Sequence, residues 1–279
     1  MTLRVFGFSR KDALMGEIRV PQKYEVRREA IIIFFYVIIT IFIFVIFRKA
    51  KPELKQGTKS ELLFGIAWFS FYFALAMISN QFQISVVNEA TNWLLLVLLP
   101  LLITARIRKE KIIVTLREIG VRLPDQKTGW KILLVCMIYT GIIFFVFSLS
   151  EETSMADLNI LKILRNFPVF LLLMMVTAGF TEEFFFRGIL QRCLTNTLKR
   201  PYLAVFITGI LFGLYHFPFA YYLWDGVSGN VVNAFKTIMT EQAIAGFALG
   251  LLYEKSNKNL WSSVLLHSLS NAVIMSIGF

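Results

Sequence analysis

The sequence predicts an all-α, polytopic membrane protein of about eight transmembrane helices, and three observations carry that reading. Of its 279 residues 57% are hydrophobic, 28 of them Phe, and only 17% are charged. The apolar residues collect in stretches of the length a helix needs to cross a bilayer, about 20 residues. The Lys and Arg residues behind the net charge of +11 flank those stretches, so they suit anionic lipid head groups better than nucleic acid.

Six uncharged stretches are expected to span: 30–47, 62–79, 90–105, 132–150, 201–224 and 260–279. Two more are shorter or interrupted. Residues 167–181 run straight into a pair of glutamates, and 231–253 hold Lys236 and Glu241 near their start. Residues 1–28 form a polar leader without the apolar core of a secretory signal, so the first span is expected to remain in the mature protein. Residues 29–279 read as one polytopic membrane domain.

The charged connection 106–131 carries Ile112, Ile113, Leu116 and Ile119 at helical spacing, which predicts an amphipathic interfacial helix, with Pro124 and Gly129 breaking it before the fourth span. The loops after spans one, three, five and seven hold 18 Lys and Arg against 10 on the other side, 7 of those in the N-terminal tail. The loops favour the first side as cytoplasmic, whereas Arg27 and Arg28 beside the first span argue the opposite. Cys136 and Cys193 are isolated and suggest neither a disulfide framework nor a metal motif.

Ionisable groups at bilayer depth cost roughly 2.5 to 3.5 kcal/mol each on insertion scales, so they normally face a bundle interior or a wet cavity. This chain concentrates them in its last 100 or so residues. In "TEEFFFRGIL", Glu183 and Arg187 are an i, i+4 pair in the favourable order and can neutralise each other. Glu182 points about 100° away and finds only Phe186 at its own i+4. A carboxylate kept dry and apart from cations is a candidate general base. Both histidines of the chain lie in apolar spans. Phe212 is four residues before His216 and can pack beside its ring; Asn271 is four after His267, and Ser263 and Ser270 continue a polar stripe along the last span.

These parts suit peptide hydrolysis without a covalent intermediate: a water between Glu182 and His216 attacks a carbonyl, while His267 and Asn271 stabilise the oxyanion. The motifs EExxxR (Glu182, Glu183, Arg187), FxxxH (Phe212, His216) and HxxxN (His267, Asn271), in that order on successive spans, resemble the CPBP family of intramembrane proteases. That family includes type II CAAX prenyl endopeptidases and bacteriocin-processing or immunity homologues. The resemblance covers about 167–279 and leaves the N-terminal 160 residues without a signature.

The resemblance implies eight membrane helices around an intramembrane cavity and a metal-independent glutamate peptidase that needs no cofactor. Glu182 would activate water with His216, His267 and Asn271 would form the oxyanion hole, and Glu183 and Arg187 would support the site. Gly246 and Gly250 match a weak small-residue motif of the family, although close helix packing explains a GxxxG pair equally well. The expected partners are membrane lipid and a peptide or prenylated protein substrate, most simply a prenylated CAAX protein losing its last three residues, in a cell membrane or an ER-type membrane. Competing readings are a protease for bacteriocin or pheromone-type peptides, a zinc protease using the same His and Glu residues, a non-catalytic immunity or scaffold protein, and a transporter with Glu182 as proton relay.

Overall fold

The structure is a computed structural model that describes residues 22–50, 57–84, 86–148 and 160–278; most of the polar leader lies outside these. Among the described residues the fold is all-α, in nine continuous helical stretches: α1 (Gln22–Ile46), α2 (Lys59–Gln81), α3 (Glu89–Arg108), α4 (Ile112–Ile119), α5 (Gln126–Ser148), α6 (160–198), α7 (Pro201–Leu223), α8 (231–255) and α9 (Leu260–Gly278). Each apolar stretch expected to span lies largely on a long helix. By length and composition four are long and apolar enough to cross a membrane: α2, α3, residues Ile163–Leu198 of α6, and α7. Large apolar side chains such as Phe34, Leu63, Val169, Leu172 and Phe206 face outward, as they do on a lipid-facing surface.

The interfacial helix forms as α4 but ends earlier than expected. Gly120, not Pro124, stops it, with φ +101°, a left-handed cap that glycine adopts without strain. Gly129 sits inside α5 and breaks nothing. Gly120 is also where the turn before α9 packs against α4: Leu260 N–H donates to its carbonyl at 3.0 Å, and a Cβ added here would lie 2.0 Å from the Lys258 carbonyl oxygen. Both the backbone angle and the clash oppose a side chain. Gly120→Ala is therefore expected to destabilise the protein by at least about 1 kcal/mol, read as a lower unfolding midpoint in detergent; an unchanged midpoint would show that this contact is loose.

α6 is the centre of the bundle. Its first half is mostly open on the lipid side, but every residue from Thr181 to Asn196 is buried, because α2, α3, α4, α7, α8 and α9 all pack on it. A helix buried on all sides is a core element. Polar residues survive there only by pairing, and one such group is legible only in three dimensions. Glu61, which caps the start of α2 in a reciprocal box with Thr58, receives Arg192 Nη2 at 3.0 Å and Arg108 Nη1 at 3.3 Å.

Gly246 and Gly250 do mark close packing. A Cβ on Gly246 would sit 3.0 Å from the Gly209 Cα of α7, and one on Gly250 would sit 2.6 Å from Gln191 Oε1 of α6. The bare backbone has a further use. Arg187 Nη2 donates to the Gly246 carbonyl at 3.2 Å and Gln191 Nε2 to the Gly250 carbonyl at 2.9 Å, so the two glycines dock two polar side chains of α6.

Candidate active site

The Glu pair sits between two departures of α6 from regular α-helix. Residues Met175–Gly179 and Phe184–Gln191 are π-helical, and Thr177 within the first has non-helical dihedrals (φ −88°, ψ −107°). Threonine hydroxyls take up the carbonyls at this kink: Thr177 Oγ1 donates to Leu173 O and Thr181 Oγ1 to Thr177 O, both at 2.8 Å. Extra residues per turn rotate the following side chains, and such bulges recur at functional sites. Gly179 completes the local design. A Cβ there would meet Ser268 Oγ at 2.1 Å, so only a glycine lets α9 come close enough to bring His267 against the two glutamates.

Glu183 is the held carboxylate. Its Oε2 lies 3.0 Å from Arg187 Nε and its Oε1 2.9 Å from His267 Nδ1, with Glu183 and Arg187 both fully buried. The Arg187 guanidinium also lies over the Phe212 ring, 4.6 Å from its centroid.

Glu182 is the unheld one. Its Oε2 has no hydrogen-bond partner among the described residues, yet faces two imidazoles: His216 Nε2 at 3.8 Å and His267 Nε2 at 3.9 Å. Neither distance is a hydrogen bond, and each is short enough for one small molecule to bridge. His216 Nδ1 lies 2.8 Å from the Phe212 carbonyl, which can only accept, so Nδ1 carries the proton and a neutral ring presents a lone pair at Nε2. Phe212 packs edge-on against both imidazoles, with centroids 4.9 and 5.8 Å away.

The structure thus brings together Glu182, Glu183, Arg187, Phe212, His216 and His267. Asn271 is half-buried one turn beyond His267 and has no hydrogen bond among the described residues to either His267 or Glu182. Ser270 bonds Tyr139 of α5, whereas Ser263, which donates to Leu260 O, also lies within hydrogen-bond reach of Glu183, so the stripe on α9 is divided between two neighbours. Sequence reasoning missed three residues. Tyr215 donates to Glu182 Oε1 at 3.5 Å, its oxygen is 3.4 Å from that of Tyr72, and Tyr72 donates to Asn92 at 2.7 Å. Tyr215, directly before His216, was within reach of the motif; Tyr72 and Asn92 belong to α2 and α3, with no periodic signal pointing at the site.

Residues 164–273 match the family model described as Rce1-like, type II CAAX prenyl endopeptidase, and every residue named in the three motifs lies inside that match. Over that stretch, which is under half of the chain, the sequence is similar to Rce1-like proteins. No curated protein and no solved structure matches it. An Rce1-like domain is a protease domain of a membrane protein, and its boundaries enclose the buried half of α6, all of α7 and α8, and α9 through Val273. Tyr72, Glu61 and α4 fall outside the Rce1-like match and still touch it.

Proposed function

We propose that the protein is an intramembrane glutamate peptidase that hydrolyses a peptide bond by direct attack of water. The observation that carries this reading is the placement of one partnerless buried carboxylate oxygen, Glu182 Oε2, 3.8 Å from His216 Nε2. Two acceptors at that separation suit a water molecule, which donates one hydrogen to each and leaves an oxygen lone pair for a carbonyl carbon. As the C–O bond forms, the water proton passes to Glu182 and the carbonyl π electrons move onto oxygen. Collapse of the tetrahedral intermediate expels the amine, which takes the proton back from Glu182.

His267 suits the developing oxyanion. Glu183 anchors its Nδ1–H, and a ring that also carries Nε2–H directs that donor toward the space beside Glu182. Arg187 offsets the Glu183 charge, which keeps the guanidinium turned away from Glu182. Asn271 enters this scheme only as the expected second donor to the oxyanion, brought in when substrate is bound. The metal-independent form needs no ligand from outside the protein. In the same reading the other long helices, α1, α5, α8 and α9, also lie in the bilayer, making eight around the chamber.

The substrate favoured is the C-terminal segment of a prenylated CAAX protein, cut to release the last three residues, because the matched family bears that activity in its name. Purified protein in detergent is expected to release the tripeptide from a prenylated CAAX peptide, to leave the unprenylated control largely intact, and to keep its activity through exhaustive treatment with a strong chelator. Equal cleavage of the control points to peptides of the bacteriocin or pheromone kind. Loss of activity restored by zinc overturns the metal-free mechanism.

A further inference from the structure

A cavity of about 250 Å³ lies well away from the two histidines, where α4, the end of α6 and the turn between α8 and α9 meet. Arg192 is ten residues past Glu182 on α6 and Lys258 nine before His267, which puts the cavity roughly 13 to 15 Å along the bundle at 1.5 Å per residue. We propose that this cavity, walled by Arg117, Arg122, Arg192, Asn196, Asn257 and Lys258, is a binding site for a phosphate group, carried by an anionic lipid or free in solution.

Four observations point to an anion. Four cations line the cavity against one carboxylate, Glu118. Arg192, only 2% exposed, spends Nε on the Gly188 carbonyl and Nη2 on Glu61, while its Nη1 has no hydrogen-bond partner among the described residues. A buried guanidinium N–H without an acceptor is costly, and a phosphate oxygen is the acceptor that guanidinium matches best. The wall is also built to shape. Asn257 and Lys258 both hold left-handed backbone angles (φ +61° and +53°), a conformation uncommon outside glycine. That turn is clamped to the segment after α4 by Arg122 Nη2 donating to Asn257 O at 3.0 Å and Asn259 Nδ2 donating to Arg122 O at 2.7 Å. Finally, Lys258 Nζ is fixed by Asn196 Oδ1 at 3.2 Å, which places its charge at the wall.

The surroundings favour a lipid source. Leu123 is 87% exposed and Trp130 65%, and Ile112 and Ile113 also face outward, so apolar side chains border the cations. That pairing is what an interfacial element shows when its apolar face enters the head-group region and its basic groups stay at phosphate level.

The test uses the full chain in an uncharged detergent and reads the thermal unfolding midpoint, since a ligand of the folded state raises it by mass action. Sodium phosphate is titrated against sodium chloride at matched ionic strength, and short-chain phosphatidylglycerol against phosphatidylcholine. A saturable rise with phosphatidylglycerol alone assigns the site to a lipid head group, and a rise with phosphate as well assigns it to the phosphate group itself. Arg117→Gln and Arg192→Lys, the second keeping a cation beside Glu61, are each expected to weaken the apparent Kd at least about tenfold, the order expected from losing one charge-assisted hydrogen bond. Should Arg192→Lys lower the ligand-free midpoint, Arg117→Gln alone decides. No rise with either phosphate compound, or variants that bind as the wild type does, overturns the site. Neither variant touches Glu182, His216 or His267, so proteolysis reports separately on the catalytic proposal.

Discussion

Glu182→Gln is expected to lower kcat on a cleavable peptide by about 10²- to 10⁴-fold, the range lost with a positioned general base, and to leave the protein as stable as before or more so. The two halves of that result belong together. Glu182 Oε2 has no hydrogen-bond partner among the described residues, so the folded state bears the desolvation of a carboxylate without a compensating bond. An amide of the same shape keeps the Tyr215 contact at Oε1, removes the charge and cannot accept the water proton. A structural carboxylate would behave in the opposite way, with stability falling and the chemistry less affected. Steady-state kinetics beside an unfolding midpoint separates the two, and a variant that cleaves at the wild-type rate removes Glu182 from the mechanism.

Arg187→Met is expected to cost about 3 to 5 kcal/mol of stability, the usual result of deleting one partner of a buried ion pair. Arg187 is fully buried, its Nε is 3.0 Å from Glu183, and its Nη2 reaches the Gly246 carbonyl. Without it Glu183 is left as a buried negative charge held by His267 and the Ser263 hydroxyl, with no guanidinium to offset it. Adding Glu183→Gln to Arg187→Met removes that stranded charge and is expected to restore a large part of the loss, since replacing both members of such a pair is far milder than breaking it. Activity should stay low in the double variant, because His267 loses the carboxylate that orients it. A single variant losing less than about 1 kcal/mol, the scale of an exposed pair, would mean that water or another group offsets the Glu183 charge.

How much of this was legible in the sequence differs from residue to residue, for physical reasons. The separation of Glu182 from Glu183 follows from helical spacing alone: an acid four residues before Arg187 pairs with it, and its neighbour cannot. The placement of both histidines near Glu182 needed an ordered set of motifs, because α7 and α9 approach α6 through contacts that no local pattern encodes. Glu61 and Arg192 are 131 positions apart and Tyr72 and Tyr215 143, so neither pairing leaves a periodic trace. The end of α4 was misplaced because Pro124 is the louder breaker, whereas a left-handed glycine under a neighbouring turn decided the matter. Asn271 was grouped with His267 on spacing alone, and spacing does not say how far the amide stands from the glutamates that hold the imidazole.

The sixteen-residue enclosed run of α6 bears on where this protein begins and ends as a physical object. The motifs occupy the later part of the chain, but the jacket around that run is sewn in part from the earlier helices: Glu61 neutralises Arg192, Trp68 and Tyr72 reach across to α3, and Tyr72 stacks on Tyr215. Stripped of that half, the signature-bearing portion would expose a row of phenylalanines and the orphaned guanidinium of Arg192 to whatever surrounds it. The recognisable part of the molecule is its chemistry; the anonymous part is the wall that makes the chemistry habitable.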